Sequence, residues 1–196
     1  MWNFKTPGIP DEYFERTEKV PITKEEVRVV QISKARLSPG QIVYDIGCGS
    51  GSISIEAALQ VENSGKVLAV DHDSNAVDLT KKNLAKFGVT NVEVIYGDAK
   101  EKIPDLEQAD AIFIGGTGGD TQDIVKICNR KLRSGGRIVI GIILIETLYS
   151  VLKVLDELDF DSVDITQVTI SKSRKTSTGT MMLARNPVTI ISATKR

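Results

Sequence analysis

The chain has 196 residues, 41% of them hydrophobic and 26% charged, with a formal net charge of −1. That length can bury a sizeable core as one domain without staples, and near-neutrality gives the chain as a whole no electrostatic reason to bind nucleic acid or an anionic membrane. Two cysteines, Cys48 and Cys128, make no disulfide framework, and a lone His72 anchors no zinc site of the usual spacings. The opening MWNFKTPGIPDEYFER lacks the basic flank and apolar run of a signal peptide, and no uncharged stretch is long enough to span a bilayer, so a cytoplasmic setting is expected.

The first 22 residues, punctuated by Pro7, Gly8, Pro10 and Pro21, read as an irregular lead-in. Thr23 then has the place of an N-cap, with Glu26 completing a capping box, and a helix is expected through KEEVRVVQISKAR as far as the Pro39–Gly40 turn. Strand and helix alternate from there. IVYDIG, KVLAVD, VEVIYG, DAIFIGG and RIVIGII read as strands. SISIEAALQV, SNAVDLTKKNLAKFG, DTQDIVKICNRKLRSGG and ETLYSVLKVLDELDF read as helices. The strands are Val/Ile-rich and apolar on both faces, as in a parallel sheet covered by helices, and the alternation implies right-handed crossovers in a doubly wound α/β fold. After Phe160 the rhythm changes: SVDITQVTIS and TMMLARNPVTIISATK are strand-like and separated only by the loop KSRKTSTG, so residues 161–196 are expected to close the same sheet with an antiparallel hairpin.

The loop Gly47-Cys48-Gly49-Ser50-Gly51 falls between a strand and a helix, where open α/β sheets bind ligands. It departs from the dinucleotide fingerprint, because position 52 is Ser and Asp45 puts a carboxylate where a pyrophosphate would lie. A ligand with an ammonium group suits that acid better, and S-adenosylmethionine carries an ammonium and a sulfonium. Asp71 ends the second strand, where a carboxylate can take a pair of ribose hydroxyls. Asp98 and Ala99 follow the third strand, where they can meet an adenine amino group and a ring nitrogen. Asp71 and Asp98 also have plainer readings, as a helix cap and a turn residue. Cys48 has no basic partner and reads as a spectator in the loop, and Cys128 as core.

DIGCGSG, AVDHD, YGDA, ADAIFIGG and LRSGGRIVIG, in that order, resemble the class I S-adenosylmethionine-dependent methyltransferases. That family's fold is a Rossmann-like doubly wound sheet of seven strands, mostly parallel with an antiparallel C-terminal strand. VPITKEEVR, IFIGGTGGD, LIETL and GTMMLARNPVTII further resemble the decarboxylating precorrin methyltransferases of cobalamin biosynthesis, in their stand-alone form. The resemblance implies methylation of carbon 15 of cobalt-precorrin-6B, loss of the ring C acetate carboxyl group, S-adenosylmethionine as cofactor and a homotetramer. It also implies cofactor contacts at Thr23, Gly47 to Gly51, Asp71 and Ala99.

On the substrate side, Gly116, Thr117, Gly118 and Gly119 follow the fourth strand, leaving room for a flat macrocycle and supplying N–H donors. Lys172, Arg174, Lys175 and Arg185 are candidate partners for a carboxylate-rich tetrapyrrole, although a KSRK run is also an ordinary solvated loop. Glu146, at the start of the helix after the fifth strand, is a candidate for proton handling, although an acid is favoured there in any helix. Two other functions share the core motifs: a tRNA adenine methyltransferase, and a non-catalytic S-adenosylmethionine-binding subunit. The first usually needs a basic surface or an added RNA-binding domain.

Overall fold

The computed structural model describes residues 2–196 apart from 3, 118 and 159. One seven-stranded sheet, in the order β3-β2-β1-β4-β5-β9-β6, forms the centre of the molecule. β1 (Ile42–Ile46), β2 (Lys66–Asp71), β3 (Val92–Tyr96), β4 (Ala109–Ile114) and β5 (Leu132–Ile142) run parallel. β9 (Val188–Lys195) lies antiparallel between β5 and β6 (Phe160–Val168). Because side chains alternate across a strand, neighbouring residues feed opposite layers. Tyr44, Leu68 and Ile112 pack with α5 (Thr121–Lys131) and α6 (Ile145–Glu157), whereas Val43, Val67 and Phe113 pack with α1 (Glu25–Ala35) and α2 (Ser52–Val61). α3 (Ser74–Phe87) ends on Gly88 in the left-handed region and packs over β2 and β3. Cys128 lies in the core, as its helical spacing implies. Among the described residues no helix is long and apolar enough to cross a membrane.

The structure departs from the expected elements in four places. Thr23 does not cap α1. Lys24 holds the N-cap position without a side-chain bond, and Asp11 instead accepts from the Glu25 N–H at 3.0 Å. A carboxylate brought in by the lead-in thus does the work the sequence assigned to a local hydroxyl. α5 stops at Lys131 rather than Gly136, where residues 132–136 turn into an irregular start of β5. Between β3 and β4, where the sequence suggested no element, Asp98 caps a single helical turn, α4 (Ala99–Lys102), and a 3-10 turn follows at Ile103–Asp105. Finally, the loop expected at 172–179 is largely a ribbon of its own, β7 (Ser171–Lys175) paired antiparallel with β8 (Thr180–Ala184). Pro187 has no N–H for a ladder, and the long final strand divides just before it. The C-terminal segment therefore contributes β6 and β9 to the main sheet and a separate two-stranded ribbon between them.

The lead-in is fastened by a buried arginine. Arg28, wholly buried, donates from Nε to Glu56 at 2.7 Å, reaches Asp11, and donates to the backbone carbonyls of Ile9 and Thr23. Its guanidinium stands 4.8 Å over the Phe14 ring. Glu56 accepts in turn from the Gly8 and Ile9 N–H groups. This network brings residues 21–24 against the end of β1.

Candidate active site

In open α/β sheets a ligand binds where the strand order reverses, here between β1 and β4. The loop Gly47–Gly51 leaves β1 at that point. Its backbone is held internally: Gly47 and Cys48 donate to the Val70 carbonyl, Gly51 donates to Cys48, and Gly49 donates to Asp71 Oδ2 at 2.9 Å. Gly47 has φ +74°, and a methyl group there would stand 2.7 Å from the Gly116 carbonyl oxygen. The two glycine loops therefore meet backbone to backbone. Ser50 is buried with a hydroxyl oxygen that has no hydrogen-bond partner, and Gly51 opens α2 against Thr80.

Two cavities meet at this junction and share Gly47 and Gly116. The smaller, about 190 Å³, runs over the ends of β2 and β3. Asp71, His72, Asp98 and Ala99 line it, with Thr117 and Asp120 on the far side. Asp71 is 8% exposed, and its Oδ1 accepts from the Asp73 N–H at 3.0 Å. Asp71 therefore braces the glycine loop and the β2–α3 turn together and keeps further acceptor capacity towards the cleft. Asp98 accepts from the Lys100 N–H at 2.7 Å, so its capping role and its place in the cleft coexist.

The larger cavity, about 570 Å³, extends from Asp45, Gly47 and Cys48 across the end of β4 to Gly141 and Ile143 of the β5 end. Thr23 and the rest of Pro21–Lys24 form one wall, and Arg185 and Asn186, between β8 and β9, form the mouth. Asp45 is 2% exposed and accepts from the Ser54 hydroxyl at 2.5 Å. Burial pushes its carboxyl up to about 6; the Ser54 bond opposes that shift, and the charge of Asp71 adds to it. A buried carboxylate in this state favours a cationic neighbour. Burial likewise raises the Cys48 thiol, which makes it a poor nucleophile and leaves it as a spectator.

The expected substrate residues are not all gathered here. Gly116 lies at the junction, and Thr117 lines the smaller cleft while sharing a 2.5 Å hydrogen bond with Thr121. Gly118 lies outside the described residues. Gly119 lines neither cavity. Lys172 is engaged by Glu25 at 3.2 Å and Glu26 at 2.5 Å, and Arg174 is exposed on β7, so of the three cations expected to meet substrate, Lys172, Arg174 and Arg185, Arg185 alone lines the cavity, where Lys24 joins it. Glu146 is exposed in the first turn of α6 and lines neither cavity; an acid there suits the helix dipole. Sequence reasoning overlooked Gln31 and Gly141. The signal for Gln31 was a polar residue in the stripe Val27, Gln31, Ile32, Ala35 that α1 buries.

The sheet, the two glycine loops and acids at three successive strand ends define a class I methyltransferase with S-adenosylmethionine as methyl donor. The residues present fit that cofactor in their chemistry: Asp45 is a buried carboxylate, the partner an ammonium calls for, Asp71 keeps acceptor capacity of the kind ribose hydroxyls call for, and the backbones of Gly47 and Gly116 are bare of side chains where the cavities join. A family model described as the precorrin methyltransferase domain matches residues 12–195. A relative from Saccharolobus solfataricus, named as a probable cobalt-precorrin-6B C(15)-methyltransferase (decarboxylating), is 45% identical over 99% of this chain and 98% of its own. Among solved structures, the precorrin-6y C5,15-methyltransferase of Geobacter metallireducens superposes with a TM-score of 0.90 at 35% identity, covering 97% of this chain and 98% of that one. The precorrin 8w decarboxylase of Methanobacterium thermoautotrophicum gives 0.88 at 36%, covering 94% and 98%. The chain belongs to the precorrin methyltransferase family.

Proposed function

We propose that this protein methylates carbon 15 of cobalt-precorrin-6B and removes the carboxyl group of its ring C acetate, in the cytoplasm. The observation that carries this reading is the pair of cavities joined at Gly47 and Gly116: an acid-lined cleft of about 190 Å³ beside a larger, mostly apolar chamber lined at one side by Arg185 and Asn186. S-adenosylmethionine supplies a methyl group on a sulfonium, which needs no activation beyond alignment with an electron-rich carbon and exclusion of water. Asp71 and Asp98 fix the nucleoside end, Asp45 takes the ammonium, and Thr23 closes the side wall. Val27 and Ile53 give the chamber apolar wall beside the junction. Arg185 meets a substrate carboxylate at the mouth, with Arg174 further out along the ribbon.

A tRNA adenine substrate fits less well. The end of β4 carries Gly115-Gly116-Thr117 rather than the Asn/Asp-Pro-Pro-aromatic run suited to an exocyclic amine, and the chain has no net positive charge to hold a phosphate backbone. The ribbon residues Met181, Met182 and Leu183 stand exposed, as do Ile143, Leu144, Ile145 and Tyr149. Exposed apolar residues grouped in these two segments favour self-association, and the homotetramer proposed for this chain is tested by light scattering. Function is tested by anaerobic incubation with S-adenosylmethionine and cobalt-precorrin-6B, read by mass spectrometry. Gain of one methyl with loss of one carboxyl supports the reading; an unchanged substrate with cofactor bound overturns it.

A further inference from the structure

The larger cavity holds a hydrogen-bond acceptor that the protein leaves unfilled. Gln31 is 4% exposed and lines the chamber from α1, and its buried amide oxygen accepts no hydrogen bond. An acceptor left unpaired costs stability, so it marks a place that a ligand's donor completes. The amide is also confined: a methyl group added to Gly141 of β5 would collide with Gln31 Nε2.

Gln31 and Asp45 open onto the same chamber. α1 covers the face of the sheet to which Val43 points, and alternation along β1 turns Asp45 to that face as well. Ile46, Ile114 and Ile140 are paired across β1, β4 and β5, so the positions that follow them, Gly47, Gly115 and Gly141, make one row. Two strand spacings set the span from Gly47 to Gly141 at roughly 10 Å. None of the three bears a side chain, all three line the chamber, and the cleft of Asp71 and Asp98 joins it at the Gly47 end.

The two ligands of the site differ in what they can donate. In the function proposed above, the substrate is a carboxylate-rich tetrapyrrole with its ring nitrogens on cobalt, and it brings acceptors only. S-adenosylmethionine carries donors on its nucleoside, which belongs with Asp71 and Asp98, and on the ammonium of its methionine end. We infer that Gln31 accepts a hydrogen bond from that ammonium, alongside Asp45. An ammonium has three N–H donors, and Asp45 already spends part of its capacity on Ser54. A second acid would set two like charges against one cation in a buried place. The neutral amide oxygen supplies the further acceptor without adding charge. Held at two points, the methionine end is fixed, and with it the direction of the methyl group on the sulfonium.

Calorimetry on wild type and Gln31→Met tests this with a series of ligands. They are S-adenosylhomocysteine, its decarboxylated analogue with an aminopropyl chain, its deaminated analogue with a carboxypropyl chain, and methylthioadenosine, which has neither group. Gln31→Met keeps the volume and loses the amide. It should weaken S-adenosylhomocysteine and the aminopropyl analogue about ten- to a hundred-fold, the weight of one hydrogen bond to a charged group. The carboxypropyl analogue and methylthioadenosine should stay within about twofold, which also shows that the variant is folded. Unchanged affinity of Gln31→Met for the aminopropyl analogue overturns the inference. A loss shared by methylthioadenosine overturns it as a general disturbance of the site, and a loss confined to the carboxypropyl analogue overturns it by assigning Gln31 to the cofactor's carboxylate. No corrin substrate takes part, so the outcome is read whether or not the proposed methylation holds.

Discussion

Replacing Arg28 with methionine would test whether the lead-in is part of the site or merely lies on it. The methionine side chain fills much of the buried stem but removes every donor of the guanidinium. Glu56, 1% exposed, would keep only the Gly8 and Ile9 N–H groups at 3.0 and 2.9 Å, and the Ile9 and Thr23 carbonyls would lose their arginine donor. Removing one partner of a buried ion pair costs about 3–5 kcal/mol. For a domain of this size that is a fall in Tm of about 6–20 °C. Urea denaturation gives the global loss, and hydrogen exchange at Gly8 and Ile9 gives the local one. Because Thr23 belongs to the cavity wall, cofactor affinity should fall as well, even at temperatures where the variant is fully folded. A stability loss below about 1 kcal/mol, the scale of a surface pair, with unchanged protection at Gly8 and Ile9, would refute the reasoning.

The remaining predictions concern the cofactor side. Asp71→Ala removes the acceptor that joins Gly49 to Asp73, and should weaken S-adenosylhomocysteine binding by about 1.5–3 kcal/mol; unchanged calorimetry would remove the ribose assignment. Gly47→Ala forces a methyl group to within 2.7 Å of the Gly116 oxygen at φ +74°, and should abolish cofactor binding while costing about 1–3 kcal/mol of stability. Asp45 gives a pH signature. Below about pH 4 its carboxyl is protonated in folded and unfolded chains alike. From its ordinary value of 3.8 up to about 6 the folded chain holds the proton longer, so stability falls as pH rises through that window, by on the order of 3 kcal/mol. Asp45→Asn should therefore stabilise the ligand-free protein above pH 6 and have no such effect below pH 4. Wild-type cofactor affinity should rise as pH climbs through about 6, because the ionised form holds the ammonium. Flat profiles in both measurements would remove Asp45 from the site.

What was legible in the sequence follows from which groups act locally. Asp45, the glycine loop, Asp71 and Asp98 sit at fixed offsets from strands whose Val/Ile runs announce them, so the strand ends alone bring them together. The chamber beside them is built otherwise. Its walls come from the lead-in, α1, β5 and the turn before β9, and Glu25 and Lys172, 147 positions apart, meet only in the folded chain. No local periodicity encodes that meeting. Arg28 shows the same limit: its helical position is plain, but its partners Asp11 and Glu56 are visible only once the lead-in crosses α1 and α2. The ribbon was missed for a different reason. KSRKTSTG has the composition of a solvated loop, and its strand character comes from pairing Lys172 with Leu183 and Arg174 with Met181. Those same pairings carry Arg185 to the mouth of the chamber while Lys172 is drawn away to Glu25 and Glu26. Composition grouped the basic residues as one cluster; the fold divides them between a latch on α1 and a single cation at the entrance.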